Sequence, residues 1–157
     1  MLSSLRTMVG AVMGSLVIMG VALWFVFTDH ADLPEVLWLG VVLLLGAGAA
    51  ALIQSVGFRT PAIAPGATSE ESARQARSAF QSGTITRMAL AEMPAIASIA
   101  VAFVAPDGGF VLYLLGAAIA LGLLATYVLP SDSTIARTQQ SLEREGGRAD
   151  LNTALGG

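Results

Sequence analysis

The chain lacks cysteine and lysine altogether and contains a single histidine, His30. Without cysteine it can form neither disulfides nor thiolate metal ligands, and one histidine is too few for a zinc or haem site built from protein side chains alone. We therefore expect no metal and no cofactor. The net charge of −3 and the lack of any aromatic and basic cluster likewise argue against nucleic acid as a partner.

Charge is scarce as well, because only 12% of the 157 residues are charged, against about 25% in soluble proteins. Hydrophobic residues make up 55% of the chain, and the mean hydropathy is +0.73. A helix needs about 20 mostly apolar residues to cross a bilayer. Four segments qualify, and we predict an all-α integral membrane bundle that forms one domain, with spans at about 8–27, 36–56, 87–105 and 110–129, a loop at 57–86 and a tail at 130–157.

All eight basic residues are arginines, and they avoid two of the three connections between spans. One precedes the first span, four lie between residues 59 and 87, and three follow the fourth span. The two short connections carry only acidic charges. Because cytoplasmic loops carry the excess of arginine and lysine, this pattern predicts that both termini are cytoplasmic. The arginine-only basic set suggests a GC-rich genome, and we expect a multi-pass protein of the inner membrane of an actinobacterium.

Several local signals predict where helices begin and how they connect. Thr68 with Glu71, or Ser69 with the acidic pair after it, can cap a short cytoplasmic helix through about residue 80. This helix can run on into the third span, with Gly83 as a bend. Ser131 can start another helix in the tail. The PDGG sequence at 106–109 predicts a tight turn that makes the third and fourth spans antiparallel neighbours.

Small residues spaced four apart recur in every span, and such residues let helices approach closely in lipid. The simpler interpretation is packing within one bundle, and the alternative is self-association or docking on a larger membrane complex. Tyr113 and Tyr127, near opposite ends of the fourth span, are interpreted as interfacial aromatics. The predicted packing residues are Gly10 and Gly14; Gly46 and Ala50; Ala91, Ala95, Ser98 and Ala102; and Gly116 and Ala120.

Glu92 is the strongest candidate for chemistry, because a carboxyl group inside an apolar span is costly unless it is paired or used. Pro94 cannot donate a backbone N–H, so a kink and a free carbonyl oxygen are expected beside it. One hypothesis is that Glu92 anchors the helix end through a salt bridge with Arg87 or Arg59. Proton or cation handling and contact with a partner protein are the alternatives.

Other constellations that could carry chemistry are weaker. The loop sequence TDHAD places His30 between Asp29 and Asp32, which could hold a divalent cation, but polar residues in a short loop usually serve solubility. We predict no metal site. The only histidine is on the side opposite most serines, so no catalytic serine arrangement is expected, and we predict no catalytic residues and no enzyme activity.

Residues 40–104 combine a glycine-rich helix that ends near Arg59-Thr60-Pro61 with a second helix in which an acid is soon followed by proline. This arrangement resembles the hairpin of the proton-carrying c subunit of rotary ATP synthases. The resemblance implies that Arg59 and Pro61 match the polar loop and that Glu92 matches the proton carrier. The whole chain resembles small four-helix bacterial membrane proteins, many of unassigned function, that carry an ALAE-type stretch in the third helix.

Together these features predict a small non-enzymatic membrane protein. We expect an accessory or assembly subunit of a larger inner-membrane complex, for energy conversion or envelope transport, with lipid and other membrane subunits, or further copies of itself, as partners. The alternative is an autonomous proton or cation conduit that uses Glu92.

Overall fold

The computed structural model describes residues 2–27, 32–149 and 151. Within these residues every regular element is helical and there is no strand, which confirms the predicted all-α fold class. The helices are α1 (Leu2–Val26), α2 (Val36–Val56), α3 (Ser69–Val104), α4 (Gly109–Leu123) with a π-helical turn (Leu124–Val128), and α5 (Asp132–Glu143). Four of them, α1, α2, α3 and α4 with its π-helical turn, are long and apolar enough to cross a membrane. Asp29 and His30 lie outside the described residues.

The third helix extends much further than the predicted span. α3 has 36 residues, or about 54 Å at 1.5 Å per residue, so its polar first half extends beyond an apolar layer of about 30 Å. The first of the two predicted caps starts it: Thr68 Oγ1 accepts from the backbone N–H of Glu71, and the Glu71 carboxylate accepts from the backbone N–H of Thr68. The helix continues through Gly83. Of the predicted loop at 57–86, only 57–68 connects helices.

The closest packing in the bundle is between α3 and α4. A Cβ added to Gly116 would overlap the Ser98 side chain and lie 2.7 Å from the carbonyl oxygen of Pro94. The two backbones are therefore in direct contact at this level, which only a glycine permits. The other small residues of this interface are buried as well: Ala91, Ala95, Ser98 and Ala102 on α3, and Ala120 on α4.

The second helix packs on the same pair through a small residue. A Cβ added to Gly46 would lie 2.8 Å from Cγ2 of Ile119, so α2 approaches α4 closely there. Ala50, one turn further on, is half-buried and packs at the edge of a cluster around Ile53 and Leu124. The glycine and alanine of this pair thus face the bundle.

The first helix does not use its predicted packing pair. A Cβ added to Gly10 or Gly14 would meet no atom within 4 Å, so the interpretation of this pair as a contact line within the bundle is wrong. The face that α1 turns inward carries Leu5, Val9 and Leu23, all buried. Since successive residues are about 100° apart around a helix, the glycine pair lies roughly on the opposite side.

Tyr113 joins α1 to α4 and is not an interfacial residue. Its side chain is 1% exposed, and its hydroxyl donates a 2.6 Å hydrogen bond to the backbone oxygen of Leu16. A Cβ added to Gly20 would lie 3.3 Å from the tyrosine ring, so the missing side chain gives the ring its space. The tyrosine therefore satisfies its polar atom inside the bundle, as buried tyrosines usually do.

The arginine-bearing segments meet at one end of the bundle, called here the arginine end. Leu5 of α1, Ile63 of the connection, Phe80 of α3, and Ile135 and Leu142 of α5 form one buried cluster there. The backbone N–H of Ile63 donates a 2.9 Å hydrogen bond to the backbone oxygen of Leu142, which joins the connection to α5. The described acidic residues of the two short connections lie at the other end, where Gly108 contacts Pro34.

The contact at Gly116 leads to a stability prediction. We expect Gly116→Ala to lower the free energy of unfolding by about 1–3 kcal/mol, because the added methyl group must displace Ser98 or the α3 backbone. Gly122→Ala is the matched control on the same helix, since a Cβ there meets nothing within 4 Å. Detergent or thermal unfolding followed by circular dichroism measures both, and equal midpoints for the two variants would contradict the packing described.

Candidate functional site

The most unusual side chain in the structure is Arg87, which is completely buried at the arginine end. It lies on α3 where that helix passes the end of α2. Its Nη1 donates to the backbone oxygen of Gly57 at 3.1 Å, and its Nη2 donates to Thr84 Oγ1 at 3.1 Å. The threonine hydroxyl in turn donates to the oxygen of Phe80 at 2.7 Å. One guanidinium group thus ties the end of α2 to one face of α3.

Two aromatic rings and a helix end surround this cation. The Cζ atom of Arg87 lies 4.5 Å from the ring centroid of Phe58 and 5.9 Å from that of Phe80. A cation over an aromatic face gains about 0.5–2 kcal/mol. The oxygen of Gly57 belongs to the C-terminal end of α2, where the helix dipole is negative. Ring faces and a helix end therefore provide the negative potential that a carboxylate would otherwise supply.

No carboxylate pairs with Arg87 within the described residues. The Nε atom also has no hydrogen-bond partner there. Burying an ion costs several kcal/mol even after relaxation, while a hydrogen bond to a charged group returns about 1.5–3 kcal/mol. The site therefore holds a positive charge that is only partly compensated.

Two glycines make room for the guanidinium group. A Cβ added to Gly57 would lie 2.7 Å from Cγ of Arg87, and one added to Gly83 would lie 3.4 Å from its Nη1. The Cβ added to Gly83 would also lie 3.6 Å from the backbone oxygen of Gly57, which accepts the hydrogen bond from Arg87. Gly83, expected to bend α3, instead lets α2 and α3 close around the cation.

Glu92 is not brought to either predicted partner. Within the described residues its half-buried side chain has no ion pair, and Arg59 is exposed directly after α2, where its backbone N–H donates to the oxygen of Val56. The expected pairing with Arg87 fails for a geometric reason: residues five apart on a helix are separated by about 140°, whereas pairs three or four apart share a face. Arg87 contacts the end of α2, and Glu92 lies about 140° further around α3.

Pro94 serves the packing of α3 on α4. Its side chain is buried, and its carbonyl oxygen is the atom that a side chain at Gly116 would meet. Because proline has no N–H, the oxygen of Leu90 lacks its usual helical donor. The acid, the proline and this oxygen lie within two turns of α3.

Sequence reasoning missed the burial of Arg87 and the part played by Phe58, because arginine was interpreted as a marker of the interface. The sequence of α3 nevertheless contains a signal that Arg87 is buried. The buried positions of α3 continue at spacings of three and four through its first half, including Phe80, Thr84, Arg87 and Ala91. Extending the line of small residues by one turn toward the N-terminus predicts an inward-facing arginine.

The capping role of Arg87 can be tested by substitution. We expect Arg87→Ala to lower the free energy of unfolding by about 3 kcal/mol, because the oxygen of Gly57 loses its donor and a cavity forms between the rings. Arg87→Lys should recover only part of this loss, since a lysine ammonium lacks the planar fork that reaches both acceptors. Chemical unfolding in detergent measures the change, and Arg144→Ala at an exposed position is the control. A loss as small as that of the control would show that the buried contacts are not needed for the fold.

Comparison with known proteins gives this chain no relative. It matches no known protein family, no curated protein and no solved structure. Its function must therefore be argued from its own residues.

Proposed function

We propose that this protein is a small non-enzymatic integral membrane protein of the bacterial inner membrane that acts as an accessory or assembly subunit of a larger complex, in energy conversion or envelope transport. The observation that carries this proposal is the outer face of α1. There Gly10 and Gly14 lie one turn apart with open space above both. Glycines at this spacing let a second helix approach closely in lipid.

The rest of α1 supports the same role. The helix is joined to the bundle along a narrow stripe, and large apolar side chains such as Ile18 and Phe25 are 71% and 81% exposed. Lipid can cover these side chains, but a glycine pair gives lipid little surface to pack against. A transmembrane helix of a partner, or of a second copy of this chain, fits that face better.

The proposed orientation rests on the distribution of charge. The segments that carry arginine converge on one end through their shared buried cluster, while Asp32, Glu35 and Asp107 lie in the connections at the other end. The positive-inside rule then places the arginine end and both termini in the cytoplasm.

The subunit role predicts companions that depend on the glycine pair. We expect the chromosomally tagged protein, purified in mild detergent, to bring stoichiometric companions identified by mass spectrometry. Gly14→Leu should release them, because the larger side chain holds the partner helix away. The variant should still insert in the membrane and give a single peak in size-exclusion chromatography.

Ala22→Leu is the matched control, since Ala22 is also a small exposed residue of α1. It should retain the companions. Recovery of the wild-type protein alone, without companions or further copies, would contradict the subunit role. Equal companion release from both variants would show that the glycine pair is not the contact.

A second function, an autonomous proton or cation conduit, is favoured by one observation. Glu92 is an acid within the apolar part of α3 that has no ion pair in the described part of the chain. Pro94 leaves a free carbonyl oxygen two residues before the acid. An acid and an unpaired oxygen can bind and release a proton or cation.

The conduit predicts that Glu92→Gln abolishes flux in proteoliposomes under a pH gradient, because the amide cannot carry a proton. Glu70→Gln is the control, since Glu70 is an exposed acid in the first turn of α3. It should leave the flux unchanged. A parent protein that shows no flux would remove this function while leaving the subunit role intact.

A further inference from the structure

A polar cleft opens at the arginine end between the end of α2, the connection after it and the first half of α3. Its volume is about 460 Å³. Gly57 and Gly83 line it beside the side chains of Arg59, Thr60 and Arg74. The cleft therefore lies at the level where the apolar spans give way to polar chain, which is where lipid phosphates lie in a bilayer.

The described residues that line the cleft carry a net positive charge, from two arginines and one glutamate. Arg59 and Arg74 are exposed along its sides. Arg87 lies directly behind the two lining glycines, as their contacts with its side chain show, and no carboxylate of the described residues pairs with it. A ligand in the cleft would thus meet two guanidinium groups directly and the field of a third through a thin layer of backbone.

The one acid that lines the cleft is already engaged. The Glu71 carboxylate accepts hydrogen bonds from the hydroxyl of Thr68 at 2.9 Å and from its backbone N–H at 3.2 Å. These two bonds, at the start of α3 outside the membrane-spanning part, hold the pKa of Glu71 below its ordinary value. The charge of nearby Arg74 acts in the same direction, so Glu71 stays ionised and the lining carries two guanidinium groups against one carboxylate.

The cleft also contains hydroxyl groups, one of them unsatisfied. Ser82 and Thr86 line it from α3. Thr60 is 5% exposed, and its hydroxyl has no hydrogen-bond partner among the described residues, although its backbone N–H donates to Ser141 Oγ at 3.3 Å. A buried polar atom without a partner is rare and marks a place for a ligand or an ordered water. Arginines and hydroxyls together match the oxygens of a phosphate group.

We propose that this cleft binds a phosphate group, carried either by the headgroup of an anionic lipid or by a soluble phosphate compound. Basic pockets beside transmembrane helices bind the headgroups of anionic lipids in this way. The inference goes beyond the subunit role, because a bundle that only docks on partners needs no polar cleft at this depth. It also stands without the conduit, since Glu92 does not line the cleft.

The test is a titration of the purified full chain in mild detergent with phosphatidylglycerol, followed by native mass spectrometry. We expect saturable binding that is tighter than that of zwitterionic phosphatidylcholine. The double variant Arg59→Gln with Arg74→Gln should bind about 30-fold more weakly, since each basic residue near an anionic surface contributes a factor of about five. The matched control removes two other exposed arginines, Arg6→Gln with Arg144→Gln, and should bind as the parent does.

A second pair of variants tests the cleft without removing arginine. Ser82→Asp adds a negative charge inside the cleft, whereas Gln81→Asp adds the same charge to the adjacent exposed residue, which does not line it. Only the first should weaken binding. Both leave the buried contacts of α3 unchanged, so circular dichroism should show parental helix content.

Inorganic phosphate added as a competitor identifies the source of the ligand. If millimolar phosphate leaves phosphatidylglycerol bound, the ligand is a lipid headgroup. If phosphate displaces the lipid from the parent protein but not the lipid that is still bound to the Arg59→Gln, Arg74→Gln variant, the site accepts soluble phosphate. Either result supports the cleft as a phosphate site. Equal phosphatidylglycerol affinity in the cleft and control double variants, together with equal affinity in the two aspartate variants, would overturn the proposal.

Discussion

The fold at the arginine end depends on a buried cation that pairs with no carboxylate of residues 2–27, 32–149 and 151. Arg87 closes the end of α2 by donating to Gly57, and its remaining surface is covered by the rings of Phe58 and Phe80. Phe58 also lies 5.5 Å from the Cζ atom of Arg137 on α5. The same ring thus contacts cations of two helices, so the connection, α3 and α5 meet at Phe58.

The bundle combines one closely packed pair of helices with one helix that contacts the others along a narrow stripe. At Gly116 the α3 and α4 backbones touch, and α2 closes on α4 through Gly46. α1, in contrast, depends on a stripe of buried residues and on the hydrogen bond from Tyr113 to Leu16. In lipid, close fit is the main source of helix association, so α1 is the helix that gains most from a partner.

Much of the architecture follows from the sequence, because membrane spans and helix caps are local signals. The capping box of Thr68 and Glu71 and the α2 bounds at residues 36–56 are examples. The failures concern which face a helix turns inward. Gly10 and Gly14 have the spacing of a contact pair, but the stripe that ends at Leu23 decides the orientation of α1. Nothing local to a glycine pair reveals which side its neighbours will occupy.

The burial of Arg87 also explains why arginine and lysine are not interchangeable at this position. A guanidinium group is planar, weakly hydrated and able to donate in two directions while its faces contact aromatic rings. The carbonyl oxygen of Gly57 and the hydroxyl of Thr84 require two divergent donors, and the rings require a flat cation. The positive charge of Arg87 raises the potential of the adjacent cleft, whereas Glu92 does not line that cleft and points about 140° away from Arg87 around α3. The proposed anion site and the proposed proton site therefore use different side chains of α3, and substitutions can test them separately.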